Sequence, residues 1–84
     1  MAVRYKKRFQ KHFRKLSPKV KDKFYQQLEI FLASPLDQRL HNHTVDTAFP
    51  GCRSLDVTGD YRAIFREDGG DVIFIDIDTH SNLY

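Results

Sequence analysis

Four histidines, His12, His41, His43 and His80, are the side chains of this sequence that ordinarily titrate near neutral pH. Such a group can take a proton and give it back, so two of them can act as base and acid in one reaction. His12 lies among lysines and reads as a solvated residue. His41 and His43 flank Asn42 with no third ligand close by, a poor spacing for a metal. His80 sits just past the last strand-like run, between Thr79 and Ser81. Arg62 directly follows Asp60-Tyr61. It either pairs with Asp56 or Asp60 across a hairpin, or offers a fixed guanidinium to a phosphate. There is no phosphate-cradling glycine loop, no Ser/His/Asp spacing and no paired-carboxylate motif. The one cysteine, Cys52, excludes an internal disulfide, and no Cys/His zinc spacing accompanies it. No metal or cofactor is therefore expected, and a cytoplasmic, reducing compartment fits.

These residues must be positioned by short elements. Residues 2–6 form a candidate first strand. From Lys7 the apolar residues Phe9, Phe13 and Leu16, with Tyr5 one turn earlier, mark one helix face. Ser17-Pro18 then starts a second helix, because Ser caps free N–H groups and Pro suits the first helical position. Val20, Phe24, Leu28, Phe31 and Leu32 give its apolar stripe. Pro35 ends it near Ala33, since the residue before a proline is pushed out of helical geometry. Residues 36–50 show no clean period and read as an irregular crossing segment.

From Gly51 the pattern is strand-like. Cys52–Val57, Tyr61–Arg66 and Asp71–Asp78 are three strands joined by short turns, with Gly59 expected at positive φ in the first turn. The run around Phe74 is apolar on both faces, so the last strand belongs inside the sheet. The expected fold is α+β: one two-layer domain over residues 1–84, with an N-terminal helical hairpin on one face of a small, mainly antiparallel sheet. The other sheet face is left open for a site. Alternation sets Arg62, Ile64 and Arg66 against Tyr61, Ala63 and Phe65, but parity does not say which set faces the helices.

The chain has 84 residues and a formal net charge of +3. Its size allows one small core. The apolar runs are only a few residues, too short for a membrane span, and no secretory leader is expected. The modest charge conceals a split. Residues 1–23 carry ten Lys or Arg against one acid, a net +9, and residues 24–84 carry four Arg against ten acids, a net −6. A segregated basic half suits an anionic partner such as nucleic acid.

Three stretches together resemble the RelE/YafQ branch of the RelE/ParE superfamily of type II toxin–antitoxin toxins. They are Leu40-His41-Asn42-His43, the run Gly51 to Val57 continuing through Gly59-Asp60-Tyr61-Arg62-Ala63-Ile64-Phe65, and the ending Ile77-Asp78-Thr79-His80-Ser81-Asn82-Leu83-Tyr84. The helix pair also matches, so the resemblance covers nearly the whole chain. It implies two helices on a small sheet, and a metal-independent endoribonuclease that cuts mRNA on the ribosome. In that reaction the ribose 2′-OH attacks the adjacent phosphate, which needs a base, an acid and a cation.

By resemblance, His80 is the acid/base histidine of the ending and Tyr84 the aromatic that orients a base. His43 matches a YafQ-branch histidine, Asp60 the acid opening the second meander strand, and Arg62 a phosphate-stabilising arginine. Asp56 stands where YafQ-type members carry a further histidine, and an Asp there could act as base. Asp78 replaces a glycine usual before the Thr-His pair. Arg4, Lys7, Lys11, Lys15, Lys19, Arg53 and Arg66 are the expected RNA-binding cations. The implied partners are a cognate antitoxin, the ribosome and mRNA, with no membrane. Two other readings stand beside this one: a ParE-like toxin acting on DNA gyrase, and a basic RNA-binding module without activity.

Overall fold

The computed structural model describes residues 2–84, and Met1 lies outside the described residues. The chain runs through β1 (Val3–Tyr5), α1 (Lys7–Arg14), α2 (Pro18–Ala33), a short 3-10 turn (Gln38–Leu40), β2 (His43–Thr44), β3 (Arg53–Asp56), β4 (Tyr61–Asp68), β5 (Asp71–Thr79) and α3 (His80–Leu83). The sheet order is β1-β5-β4-β3-β2. β1 runs parallel to β5, and every other pairing is antiparallel. The architecture is α+β, with a five-stranded mixed sheet.

Local chemistry sets the helix limits. Ser17 Oγ accepts the Val20 N–H at 3.3 Å, and Pro18 takes the first position of α2. Ser34 is extended ahead of Pro35, which stops α2 at Ala33. The apolar stripes of both helices then meet one face of the sheet. Phe9, Phe24 and Phe31 pack with Leu55, Val57, Ala63, Phe65, Val72, Phe74 and Ile77 into the main core. This settles the parity: Leu55, Ala63 and Phe65 face the helices. Leu32, expected in the stripe, is an exposed residue at the end of α2.

The opposite face is not bare, as the sequence suggested. Cys52, Ile64 and Leu83 form a second, smaller cluster there, with Val45, Phe49 and Ile75 packed against it. Leu83 comes from α3, a one-turn helix whose four residues are too few to show a period. Likewise residues 36–50 contain the 3-10 turn and β2 rather than irregular chain alone.

Two turns differ in mechanism. Gly69 and Gly70 both adopt positive φ, 57° and 87°, making the two-residue hairpin turn that twisted strands favour. Gly59 does not adopt positive φ. Its turn is held instead by Thr58 Oγ1, which accepts the N–H groups of Asp60 at 3.2 Å and Tyr61 at 3.1 Å.

His12 is not the solvated residue its lysine neighbours suggested. The β4–β5 register slips at Ile64/Phe65, leaving Ile75 without a partner. Just past this bulge the Asp76 carboxylate is buried. Its Oδ1 accepts from Ile77 N at 2.8 Å and meets His12 Nδ1 at 2.6 Å. Arg8 Nε lies 2.9 Å from Oδ2, off the hydrogen-bond direction. β1 ends at Tyr5, and α1 packs against β5 beyond it, which brings both side chains to Asp76. No helix of the described residues is long and apolar enough to cross a membrane.

Two substitutions test this packing. Phe74→Ala should cost about 3–5 kcal/mol in urea unfolding, the usual loss for a core phenylalanine. Asp76→Ala should cost about 1–3 kcal/mol, because the buried Ile77 N–H loses its acceptor. Unchanged urea midpoints would contradict these assignments.

Candidate functional site

The segment after α2 is built to present His43. The hydrogen bonds from Arg39, side chain first and then backbone, hold the Asp37 carboxyl down to about 2, so it is ionised and fixes the start of the turn. His41 then takes a left-handed conformation, φ 48°, which swings the chain into β2. Asn42 donates to the Pro35 carbonyl at 3.0 Å and accepts from Arg53 Nε at 2.7 Å, tying the segment to β3. His43 Nδ1 lies 2.7 Å from the His41 carbonyl. A carbonyl only accepts, so Nδ1 carries the hydrogen and Nε2 is the nitrogen left for proton transfer.

His80 arrives from the other end of the sheet. Its N–H donates to the Asp60 carbonyl at 2.8 Å. Thr79 Oγ1 caps α3 by accepting the Asn82 N–H at 3.3 Å. The Asp78 carboxylate is used within this turn, accepting from Thr79 N at 2.7 Å and Asn82 Nδ2 at 3.1 Å. Buried Leu83 pins α3 to the second cluster. The Tyr84 ring sits 4.8 Å from the His80 ring and 6.4 Å from Phe49.

His43, His80 and Tyr84 line one cleft of about 600 Å³, walled by Thr44, Asp46 and Ala48. β2 and α3 thus bring together three of the residues singled out from sequence. Phe49 and the 44–48 wall were not singled out. The only signal for Phe49 was a lone aromatic ahead of Pro50-Gly51.

Arg62 lies elsewhere. Its Nε is 3.0 Å from Asp56 Oδ1, a charge contact not aligned as a hydrogen bond. Its Nη1 donates to the carbonyls of Thr58, Gly59 and Tyr61 at 2.9, 3.1 and 3.1 Å. Of the two carboxylates the sequence offered, Asp56 is the partner. Asp56 Oδ2 is also 3.7 Å from His41 Nδ1. Asp56, Asp60 and Arg62 do not line the histidine cleft. Asp60 is exposed and contributes its backbone carbonyl to His80.

Lys7 and Lys11 are exposed along α1 and Lys15 just past its end, with Lys19 exposed at the start of α2. Among the described residues no lysine makes an ion pair. Arg4 is 3.4 Å from Asp71. Arg53 and Arg66 are half-buried beside a neighbouring cleft. Among the described residues no three His, Cys, Asp or Glu side chains gather as a metal site.

The sequence profile of the family described as "ParE toxin of type II toxin-antitoxin system, parDE" matches residues 3–84. The chain belongs to this toxin family. No curated protein matches it by sequence. Solved structures share the fold of this ParE-family toxin at low identity. YafQ from E. coli strain BL21(DE3) is 19% identical with a TM-score of 0.81, over 98% of this chain and 96% of that one. The E. coli DinJ–YafQ complex gives 22%, a TM-score of 0.71, and coverage of 98% and 96%. The RelB–RelE antitoxin–toxin complex from Methanococcus jannaschii gives 17%, a TM-score of 0.76, and coverage of 98% and 95%.

Two measurements probe the geometry of this toxin. Nitrogen-15 NMR of the neutral imidazoles should find the hydrogen of His43 on Nδ1, and an Nε2–H tautomer would break the assignment. Burial pushes the Cys52 thiol up from its ordinary value. Iodoacetamide should therefore label Cys52 slowly in the folded protein and readily after unfolding.

Proposed function

We propose that this toxin is a ribosome-dependent mRNA endoribonuclease that needs no metal and inhibits translation. The observation that carries this reading is the shared cleft of His43, His80 and Tyr84. His43 Nε2 takes the proton of a ribose 2′-OH as its oxygen attacks the adjacent phosphorus. His80 gives a proton to the departing 5′-oxygen. The products are a 2′,3′-cyclic phosphate and a 5′-hydroxyl, and both imidazoles must then exchange protons with water before another turnover. Tyr84 offers a ring face to a base beside the scissile linkage. The unpaired lysines of α1, with Lys19 and Arg4, grip RNA phosphates through salt-sensitive contacts.

Family membership also implies an antitoxin. Solved neighbours include complexes with one, DinJ with YafQ and RelB with RelE. The basic hairpin suits an acidic segment that folds on binding. A second reading has two supports. Arg62 is engaged by Asp56 and three carbonyls, and the family profile is that of ParE. In that reading the toxin acts on DNA gyrase and the histidines are incidental.

Induced expression with mapping of new RNA 5′ ends separates the two. Wild type should arrest growth and produce in-frame cuts in translated messages. His80→Ala and His43→Ala should each lower cutting by about 10²-fold or more, the usual share of a general acid or base. Cutting by His80→Ala at the wild-type rate removes His80 from the catalytic role, and a wild type that arrests growth without new 5′ ends sinks the nuclease assignment. Inhibition of gyrase supercoiling with messages intact replaces it by the second reading. Co-expression with a cognate antitoxin should yield a tight heteromer, and recovery of free toxin alone counts against the partner.

A further inference from the structure

The cation that the cleavage chemistry needs is missing from the histidine cleft, because Arg62 is tied into its own turn. Two other guanidiniums lie next door. Arg53 and Arg66 line a second cleft of about 660 Å³, together with Asn42, Gly51 and the exposed Leu36. Thr44 and Asp46 belong to the walls of both clefts, so the two lie side by side along β2 and the residues that follow it. We propose that they form one track for a single RNA strand, in which Arg53 and Arg66 hold a phosphodiester flanking the linkage placed between His43 and His80.

The arrangement suits a phosphate in four ways. Asn42 Oδ1 holds Arg53 at Nε, which fixes the guanidinium while leaving its terminal nitrogens free of that bond. Arg66 makes no ion pair among the described residues. The carboxylate of Asp46, which could compete, is turned to the Gly51 N–H at 3.0 Å. Gly51 itself has φ 76° and nothing within 4 Å of where a Cβ would stand, so the floor is open to a backbone. Glu67 stands at the rim with the opposite sign and limits the track on that side. Leu36, 78% exposed, supplies an apolar shelf beside it for a base.

This inference rests on the RNA-cleaving reading for its substrate, yet it is testable by binding alone. The probe is a short fluorescein-labelled, 2′-O-methylated single-stranded RNA, which lacks the attacking hydroxyl. Anisotropy titrations over a range of salt give the affinity and the slope of log K against log salt. Arg66→Gln should weaken binding and reduce the slope by about 0.7, the value for one phosphate contact on a single strand. Arg66→Lys should retain most of the slope. Arg53→Gln with Arg66→Gln should lower affinity about tenfold or more. Glu67→Gln should tighten binding. Thermal melting checks that Arg53→Gln still folds, since Arg53 also anchors Asn42; Arg66→Gln carries the conclusion if it does not. Unchanged affinity and slope in Arg66→Gln overturn the track. Loss of antitoxin co-purification with RNA binding intact also overturns it and assigns the cleft to the protein partner. If RNA binding responds as expected but wild type cuts no message, the track stands and the nuclease reading falls.

Discussion

Phe74 is the point at which both layers of this toxin meet. Its ring lies 5.2 Å from that of Phe24 on α2, 5.6 Å from Phe9 on α1, 5.8 Å from Tyr5 on β1 and 5.8 Å from Phe65 on β4. Each pair is oriented and dispersive, and each is individually modest. Their common member makes them cooperative: no helix can leave without exposing the ring that the other helix and two strands also need. Burial of this ring is thus the constraint that fixes where the helical hairpin sits on the sheet.

The bulge one residue further along β5 links that core to the cleft. It leaves Ile75 unpaired, to pack on the far face with Cys52, Ile64 and Leu83. It also sets Asp76 where α1 can reach it. Beyond it β5 keeps antiparallel register to Tyr61↔Thr79, and the His80 N–H meets the Asp60 carbonyl. One strand therefore anchors the helices at its middle and delivers a histidine at its end. The polar contacts there are short hydrogen bonds, from the His80 N–H to the Asp60 carbonyl and from Thr79 and Asn82 to neighbouring side-chain oxygens, which suit positioning better than long surface ion pairs do.

The parts of the fold that were legible in the sequence are those with a period. Phe9-Phe13-Leu16 and Val20-Phe24-Leu28 marked the hairpin, and alternation with glycine turns marked the meander. His43, His80 and Tyr84 were legible as a set through the family resemblance rather than through spacing. What stayed hidden depends on distant partners or on chain too short to repeat. His12 looked solvated because its partner, Asp76, is 64 residues away in sequence. Arg62 had two carboxylates to choose from, and the β3–β4 register chose by setting Asp56 opposite it. Gly59 was given a conformation that the Thr58 hydroxyl makes unnecessary. α3 and β2 contain four and two residues, so no window could detect them.

The parallel pairing of β1 with β5 has a kinetic side. Ala2 and Asp71, joined at the start of this pair, are 69 residues apart in the chain. The β3–β4–β5 meander and the helical hairpin are each closed by short turns, and such local contacts form early. Docking β1 requires closing nearly the whole chain as a loop, an entropic cost that must be met before the contact contributes. Loop closure therefore favours docking of the first strand, with the adjoining α1, after those local units. Until it docks, one border of β5 shows unpaired N–H and C=O groups beside Val72, Ile73 and Phe74, the kind of border on which a second chain can add itself. Three residues, Val3 to Tyr5, thus cover the border of β5 that would otherwise stand open to self-association.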